Sequence, residues 1–120
     1  MARNDEKTII FPPGSVIFLE GDQPDYAYVM LKGRVEISSK RNEGRIILTN
    51  IVPTQIFGEL ALLDSSPRSA TATTVRGCEV MAITREQFLA KLDELDPFAK
   101  YWILYLSDRL KDLSRRARSL

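Results

Sequence analysis

The residues best equipped for chemistry lie in one stretch, Phe57-Gly58-Glu59-Leu60-Ala61-Leu62-Leu63-Asp64-Ser65-Ser66-Pro67-Arg68-Ser69-Ala70-Thr71. Gly58 permits close backbone approach to a ligand, and Glu59 to Leu63 are good helix formers, so a short helical turn with free N–H groups is expected to start here. Such a helix start favours an anion. Arg68 adds a permanently charged planar fork that can pair two phosphate oxygens, and Ser69 adds a hydroxyl donor. Glu59 would repel a lone phosphate, yet a carboxylate suits the hydroxyls of a sugar. A ribose at Glu59 and a phosphate at Arg68 are implied together. The plain alternative is an exposed Glu59–Arg68 ion pair worth about 0–1 kcal/mol, with Leu60, Leu62 and Leu63 filling core. Charge spacing alone favours that alternative.

Composition narrows the chemistry. The chain has 120 residues, 44% of them hydrophobic, enough for one core and a single domain. Lys and Arg number 17 against 16 Asp and Glu, a net charge of +1, so no overall field captures nucleic acid or an anionic membrane, and anion binding must be local. With no His and one cysteine, Cys78, neither an intramolecular disulfide nor a conventional His- or Cys-rich zinc site can form. A reducing cytoplasm fits that usage. No nucleophile–base constellation or metal-ligand cluster is present to activate water, so neither catalysis nor a cofactor or metal is expected. Met1 to Lys7 is polar, and no apolar run reaches the about 20 residues needed to cross a bilayer, so neither an export signal nor a transmembrane helix is expected.

The elements that must position these residues are mostly strands. From Ile9 to Ile83 short β-type runs alternate with Pro, Gly, Asn and Asp punctuation. Ser15 to Leu19 follows Gly14; Glu20 to Asp25 is a loop; Tyr26 to Leu31 is a strand turned by Lys32-Gly33. Arg34 to Ser38 alternates polar and apolar, so Val35 and Ile37 should face the core. Asn42-Glu43-Gly44 closes a hairpin into Ile46-Ile47-Leu48. Strands return at Ala70 to Val75 and Glu79 to Ile83, with Gly77 at the turn. The period then changes. Thr84 and Gln87 have the spacing of a capping box, and Phe88, Leu89, Leu92 and Leu95 recur at helical intervals. Asp96-Pro97 signals a second helix start, after which no Gly or Pro interrupts the chain. The boundaries read as a β body at about 8–84 and helices at about 85–95 and 97–118.

The block from Phe57 to Thr71 resembles the phosphate-binding cassette of cyclic-nucleotide-binding domains: Phe-Gly-Glu, small and apolar residues, then Pro-Arg-Ser-Ala-Thr. The resemblance extends to Phe11-Pro12-Pro13-Gly14-Ser15-Val16-Ile17, to the Glu20-Gly21-Asp22 turn and to Tyr28 through Val35, and so covers nearly the whole chain. It implies an antiparallel, jelly-roll-like β-roll, mainly β with α, carrying a short cassette helix and two C-terminal helices. It also implies that Glu59 accepts the ribose 2′-hydroxyl and Arg68 binds the exocyclic oxygens of the cyclic phosphate. Phe57, Gly58, Leu60, Ala61, Ser69 and Ala70 would complete the ligand site. One Arg and amide donors suit a singly charged cyclic phosphodiester better than a triphosphate, which calls for metal and several cations. The sequence departs from the family where Pro53 is followed by Thr54-Gln55-Ile56 in place of Pro-Gly-Asp, which bears on the local turn and not on the ligand contacts.

The resemblance leaves the base and the output open. Cyclic AMP is favoured as the commoner ligand, and Ser69 is compatible with cyclic GMP. Phe98, Trp102, Leu106, Leu110 and Leu113 fall near one face of the final helix, which could cover the purine, pack on the β body, or meet a second copy or an effector. Trp102, Tyr105 and Leu106 are the candidate base lid; burial for area alone is the commoner fate of such aromatics. The expected role is a regulatory sensor that transmits occupancy through its C-terminal helices. The alternatives are the sensor part of a larger regulator, channel or kinase, since no DNA-binding unit is read in this chain, and a β-roll interaction protein that no longer binds nucleotide.

Overall fold

The computed structural model describes residues 7–119; Met1 to Glu6 and Leu120 lie outside the described residues. The chain forms two compact units, the first running through Arg85 and the second from Glu86. The first is built from β1 (Lys7–Phe11), β2 (Ser15–Phe18), β3 (Tyr26–Gly33), β4 (Val35–Arg41), β5 (Gly44–Ile51), β6 (Ile56–Phe57), the helix α1 (Glu59–Asp64), β7 (Thr71–Thr74) and β8 (Cys78–Thr84). The strands form two antiparallel four-stranded sheets, ordered β1-β8-β3-β6 and β2-β7-β4-β5. Apart from the β4–β5 hairpin, successive strands cross between the sheets, the wiring of a β-roll.

Period-two patterning explains which faces meet. Along β8, Cys78, Val80 and Ala82 are buried while Glu79, Met81 and Ile83 are half-buried. Met30, Val35 and Val80 are fully buried, each contributing about 1.5–3 kcal/mol by leaving water. Val35 does face the core, and Ile37 packs against it partly buried. Tyr28 and Phe57 stack at 5.1 Å between ring centroids and pair across β3 and β6. That pairing holds the chain at the point where α1 begins.

The strand read as Tyr26 to Leu31 extends two residues further, with its register against β8 shifting at a bulge between Met30 and Lys32, and the chain turns at Gly33, φ 92°, before β4 starts in the other sheet. Between β5 and β6, the Gln55 N–H donates to the Val52 carbonyl at 3.1 Å and closes a turn with Pro53 and Thr54 at its centre. Thr54 has φ 75°, the conformation that a type II turn demands at its third position and that glycine adopts most readily. The departure at Pro53-Thr54 therefore leaves a turn intact with a β-branched residue strained into it.

In the second unit, α2 (Arg85–Asp93) and α3 (Pro97–Ser119) follow one another. α2 stops at Asp93, short of Leu95, and the N–H groups of Glu94 and Leu95 bond to carbonyls three residues back, a tightened final turn. Asp96 caps α3: its Oδ2 accepts from the N–H of Phe98 at 3.1 Å and of Ala99 at 3.3 Å. Among the described residues, no helix is long and apolar enough to cross a membrane.

Candidate functional site

The cassette is held by backbone at both ends. Gly58, at φ 81°, is the residue before α1. A Cβ there would lie 2.8 Å from Arg68 Nη1 and 3.5 Å from the Phe18 ring, so a side chain would displace the cation. Ser65, also left-handed, ends the helix, and Arg85 Nε donates to the Leu62 carbonyl at 2.8 Å. That bond satisfies one of the carbonyls that every helix end leaves open.

The Arg68 main chain is pinned to the Gly21-Asp22 loop. Its N–H donates to the Asp22 carbonyl, and its carbonyl accepts from the Gly21 N–H, both at 2.8 Å. Asp22 closes the same loop through Oδ2, which accepts from the Leu19 N–H at 3.0 Å. The loop between β2 and β3 is thus the mount for the arginine. The Arg68 side chain is 1% exposed. Its Nη1 donates to the Gly58 carbonyl at 2.8 Å, and Nη2 donates to the Tyr26 carbonyl at 2.6 Å and to Asp25 Oδ1 at 3.1 Å. The guanidinium also lies 4.0 Å from the Phe18 ring centroid, within the range of a cation–π contact. Nε has no hydrogen-bond partner, the one buried side-chain polar atom of the described residues in that state.

These contacts replace the plain sequence alternative. Arg68 is buried, and its ion-pair partner is Asp25, not Glu59. Glu59, the first residue of α1, is half-buried. Burial pushes its carboxyl above the usual glutamate value, opposed by its own backbone N–H and by the charge of Arg68. Burial, with the charge of Asp25, likewise pushes the Tyr28 hydroxyl up to about 12. The site therefore contains a half-buried carboxylate beside a cation that uses three of its five N–H donors, leaving Nε and one N–H of Nη1.

The other expected site residues fall into distinct places. Ala61 is half-buried on α1, Ala70 is buried, and Ser69 is exposed. The Leu60 side chain lies outside the described residues. The Phe57 ring is 3% exposed and belongs to the core; it anchors the cassette through Tyr28. Trp102, Tyr105 and Leu106 lie on α3, in the second unit, where Trp102 packs on Phe98 at 5.4 Å. Among the described residues there is no group of three or more His, Cys, Asp or Glu side chains that could hold a metal. Sequence reasoning missed Asp25, Phe18, the Tyr26 carbonyl and Arg85. Asp25 alone carried a signal, a carboxylate in a loop that the strand order returns to the cassette.

Comparison with known proteins gives concordant results. A family model described as cyclic nucleotide-binding domain matches residues 8–94. The cyclic AMP receptor protein of Thermus thermophilus is 33% identical over 104 residues, covering 86% of this chain and 48% of its own length. The CRP-like cAMP-activated global transcriptional regulator of Mycobacterium tuberculosis is 29% identical over 102 residues, covering 84% and 46%. The chain thus spans about half the length of these curated relatives. Among solved structures, an EAL enzyme in its cAMP- and cyclic-di-GMP-bound form superposes with TM-score 0.84 at 30% identity, over 92% of this chain and 30% of the enzyme chain.

Proposed function

Because the chain belongs to the cyclic nucleotide-binding domain family, we propose that it is a regulatory module that binds cyclic AMP between Glu59 and Arg68, with cyclic GMP as the second ligand. The observation that carries this reading is Arg68: a buried guanidinium whose Nε has no partner. An orphaned charged donor costs stability, and a singly charged cyclic phosphate supplies the acceptor it lacks. The ribose hydroxyls would donate to Glu59, whose carboxylate is raised by burial and gains from donors. Gly58, Leu60, Ala61, Ser69 and Ala70 would line the sugar-phosphate, with Phe57 beneath them. The relatives that carry cAMP in their names support this ligand. The module is read as non-catalytic and cytoplasmic.

Output is assigned to the second unit. Trp102, Tyr105 and Leu106 would form a lid on the base, or the same apolar face of α3 would meet a second copy or an effector. Ligand occupancy would act as a population shift between arrangements of these helices. Amide exchange with and without cyclic AMP tests the transmission: unchanged protection from Phe98 to Leu113 would refute it. The share of the relatives that the chain spans favours a second reading for the whole protein, in which this module is the sensor part of a larger regulator.

Calorimetric titration with cyclic AMP, cyclic GMP and noncyclic AMP tests the ligand assignment. Heat from the cyclic nucleotides, and little from AMP with its extra charge, is the expected result. A folded protein giving no heat with either cyclic ligand would leave a β-roll that has lost nucleotide binding.

A further inference from the structure

Away from the cassette, a second concavity of about 400 Å³ is lined by Gly33, Arg34, Glu36, Val75, Arg76 and Gly77. Its volume lies within the range of small-molecule sites. Two turns build it, Arg34 between β3 and β4 and Val75-Arg76-Gly77 between β7 and β8. The turns are locked together at the backbone: a Cβ on Gly33 would lie 2.5 Å from the Gly77 carbonyl oxygen and 2.9 Å from the Cys78 Cα. The buried Thr74 hydroxyl adds a bond to the Arg34 carbonyl at 2.9 Å. The two arginines are thus carried on one rigid platform.

Among the described residues, neither is held in an ion pair. Arg34 and Arg76 are exposed, and neither guanidinium has a hydrogen-bond or ion-pair partner among the described residues. Glu36 lines the same concavity without pairing to either. The neighbouring carboxylate, Glu79, is engaged by Lys32 at 3.9 Å. Two like charges sharing a concavity repel one another, and a bound anion reverses the sign of that interaction. Guanidinium forks match phosphate oxygens in pairs.

We propose that this concavity is a second anion site, distinct from the cassette, that takes a hydroxyl-bearing phosphate monoester. The phosphate sits at Arg34 and Arg76, and a hydroxyl of the same molecule donates to Glu36. The number of guanidinium forks distinguishes the two sites. A phosphomonoester, at about −1.5 to −2 at neutral pH, has oxygens and charge for the two forks of Arg34 and Arg76, whereas the cassette offers the one fork of Arg68 to a cyclic diester. The proposal does not depend on the cassette binding cyclic nucleotide.

The test is a site-resolved NMR titration of the full chain, uniformly labelled with ¹⁵N, using glycerol 3-phosphate, inorganic phosphate and glycerol. Saturable shifts of the Gly33 and Gly77 amides with both phosphates, and none with glycerol, are expected. R34Q/R76Q should weaken glycerol 3-phosphate at least tenfold. Both side chains are exposed, so the rest of the spectrum should stay superimposable. E36Q should weaken glycerol 3-phosphate about threefold while leaving inorganic phosphate as tight or tighter. Shifts that do not saturate, shifts confined to Gly58 and Ser69, or a double variant that titrates like the parent would each overturn the site. Equal weakening of both phosphates in E36Q would overturn the role of Glu36. A failure of cyclic AMP to bind at Glu59 and Arg68 would be read separately, at the cassette amides.

Discussion

Replacing Arg68 by alanine separates what the guanidinium does for the fold from what it does for a ligand. Its bonds to the Gly58 and Tyr26 carbonyls, at 2.8 and 2.6 Å, are charge-assisted and contribute about 1.5–3 kcal/mol each. Asp25 is 66% exposed, so solvent screening holds that ion pair to at most about 1 kcal/mol. The stack on Phe18 adds about 1 kcal/mol. Against these stand the desolvation of a buried cation, several kcal/mol, and the unpartnered Nε, about 1–3 kcal/mol. The opposing contributions are similar in size, and the net folding cost of Arg68→Ala is about 1–3 kcal/mol. That lies well inside the about 5–15 kcal/mol stability of an ordinary domain.

The variant should therefore melt cooperatively at a lower Tm. Its loss of cyclic AMP binding should be larger than its loss of stability, about 2–5 kcal/mol, because removing one member of a buried charge pair strands the other. That corresponds to an affinity lower by about 30-fold to several thousandfold. Calorimetric titration well below the melting temperature, with a circular dichroism melt of the same sample, reads both quantities. An Arg68→Ala protein that melts cooperatively and binds cyclic AMP within threefold of the parent refutes the ligand assignment. One that cannot fold refutes the energy balance.

Three further substitutions probe the same region. Burial raises the Glu59 carboxyl, so the folded chain holds that proton more tightly than the unfolded chain and the ionised form costs stability at neutral pH. Glu59→Gln should raise Tm at pH 7, with the gain vanishing as pH falls below the unfolded glutamate value near 4.5, while cyclic AMP affinity drops by about 1–3 kcal/mol; a melt and titration series from pH 4 to 8 reads both trends. Gly58→Ala puts a methyl 2.8 Å from Arg68 Nη1 at φ 81°, and should cost about 1–3 kcal/mol of stability and move the cation, seen as a lower Tm with weakened cyclic AMP binding. Thr54→Gly should raise Tm by relieving a residue at φ 75°: the left-handed conformation costs about 1–2 kcal/mol and glycine returns about 0.5–1 kcal/mol of that in unfolded-chain entropy, a net gain of up to about 1.5 kcal/mol with no change in ligand affinity.

The sequence made the charged members of the cassette legible because their side chains differ from those of their neighbours. Glu59, Arg68 and Gly58 stand out by type, and alternation along Arg34 to Ser38 showed which face of β4 turns inward. What holds Arg68 is of another kind. Two of its three hydrogen-bond acceptors are main-chain carbonyls, those of Gly58 and Tyr26, and a carbonyl is the same in every residue. Only the register that seats Tyr28 opposite Phe57 brings Tyr26 to the cassette, and register is a property of the folded pair of strands. The Arg34–Arg76 pair was hidden for the same reason: the two lie far apart in sequence on turns that meet only once both sheets have formed. Reading the charges without the carbonyls suggested an exposed bridge to Glu59. With the carbonyls included, Arg68 is a buried cation satisfied at Nη2, half-satisfied at Nη1 and unpartnered at Nε. A phosphate must therefore either use Nε and the second N–H of Nη1 or compete for the donors already engaged. The distinction is measurable: if the unengaged donors are used, Asp25→Asn tightens cyclic AMP binding by no more than the about 1 kcal/mol of a screened charge, whereas competition at Nη2 predicts a larger gain.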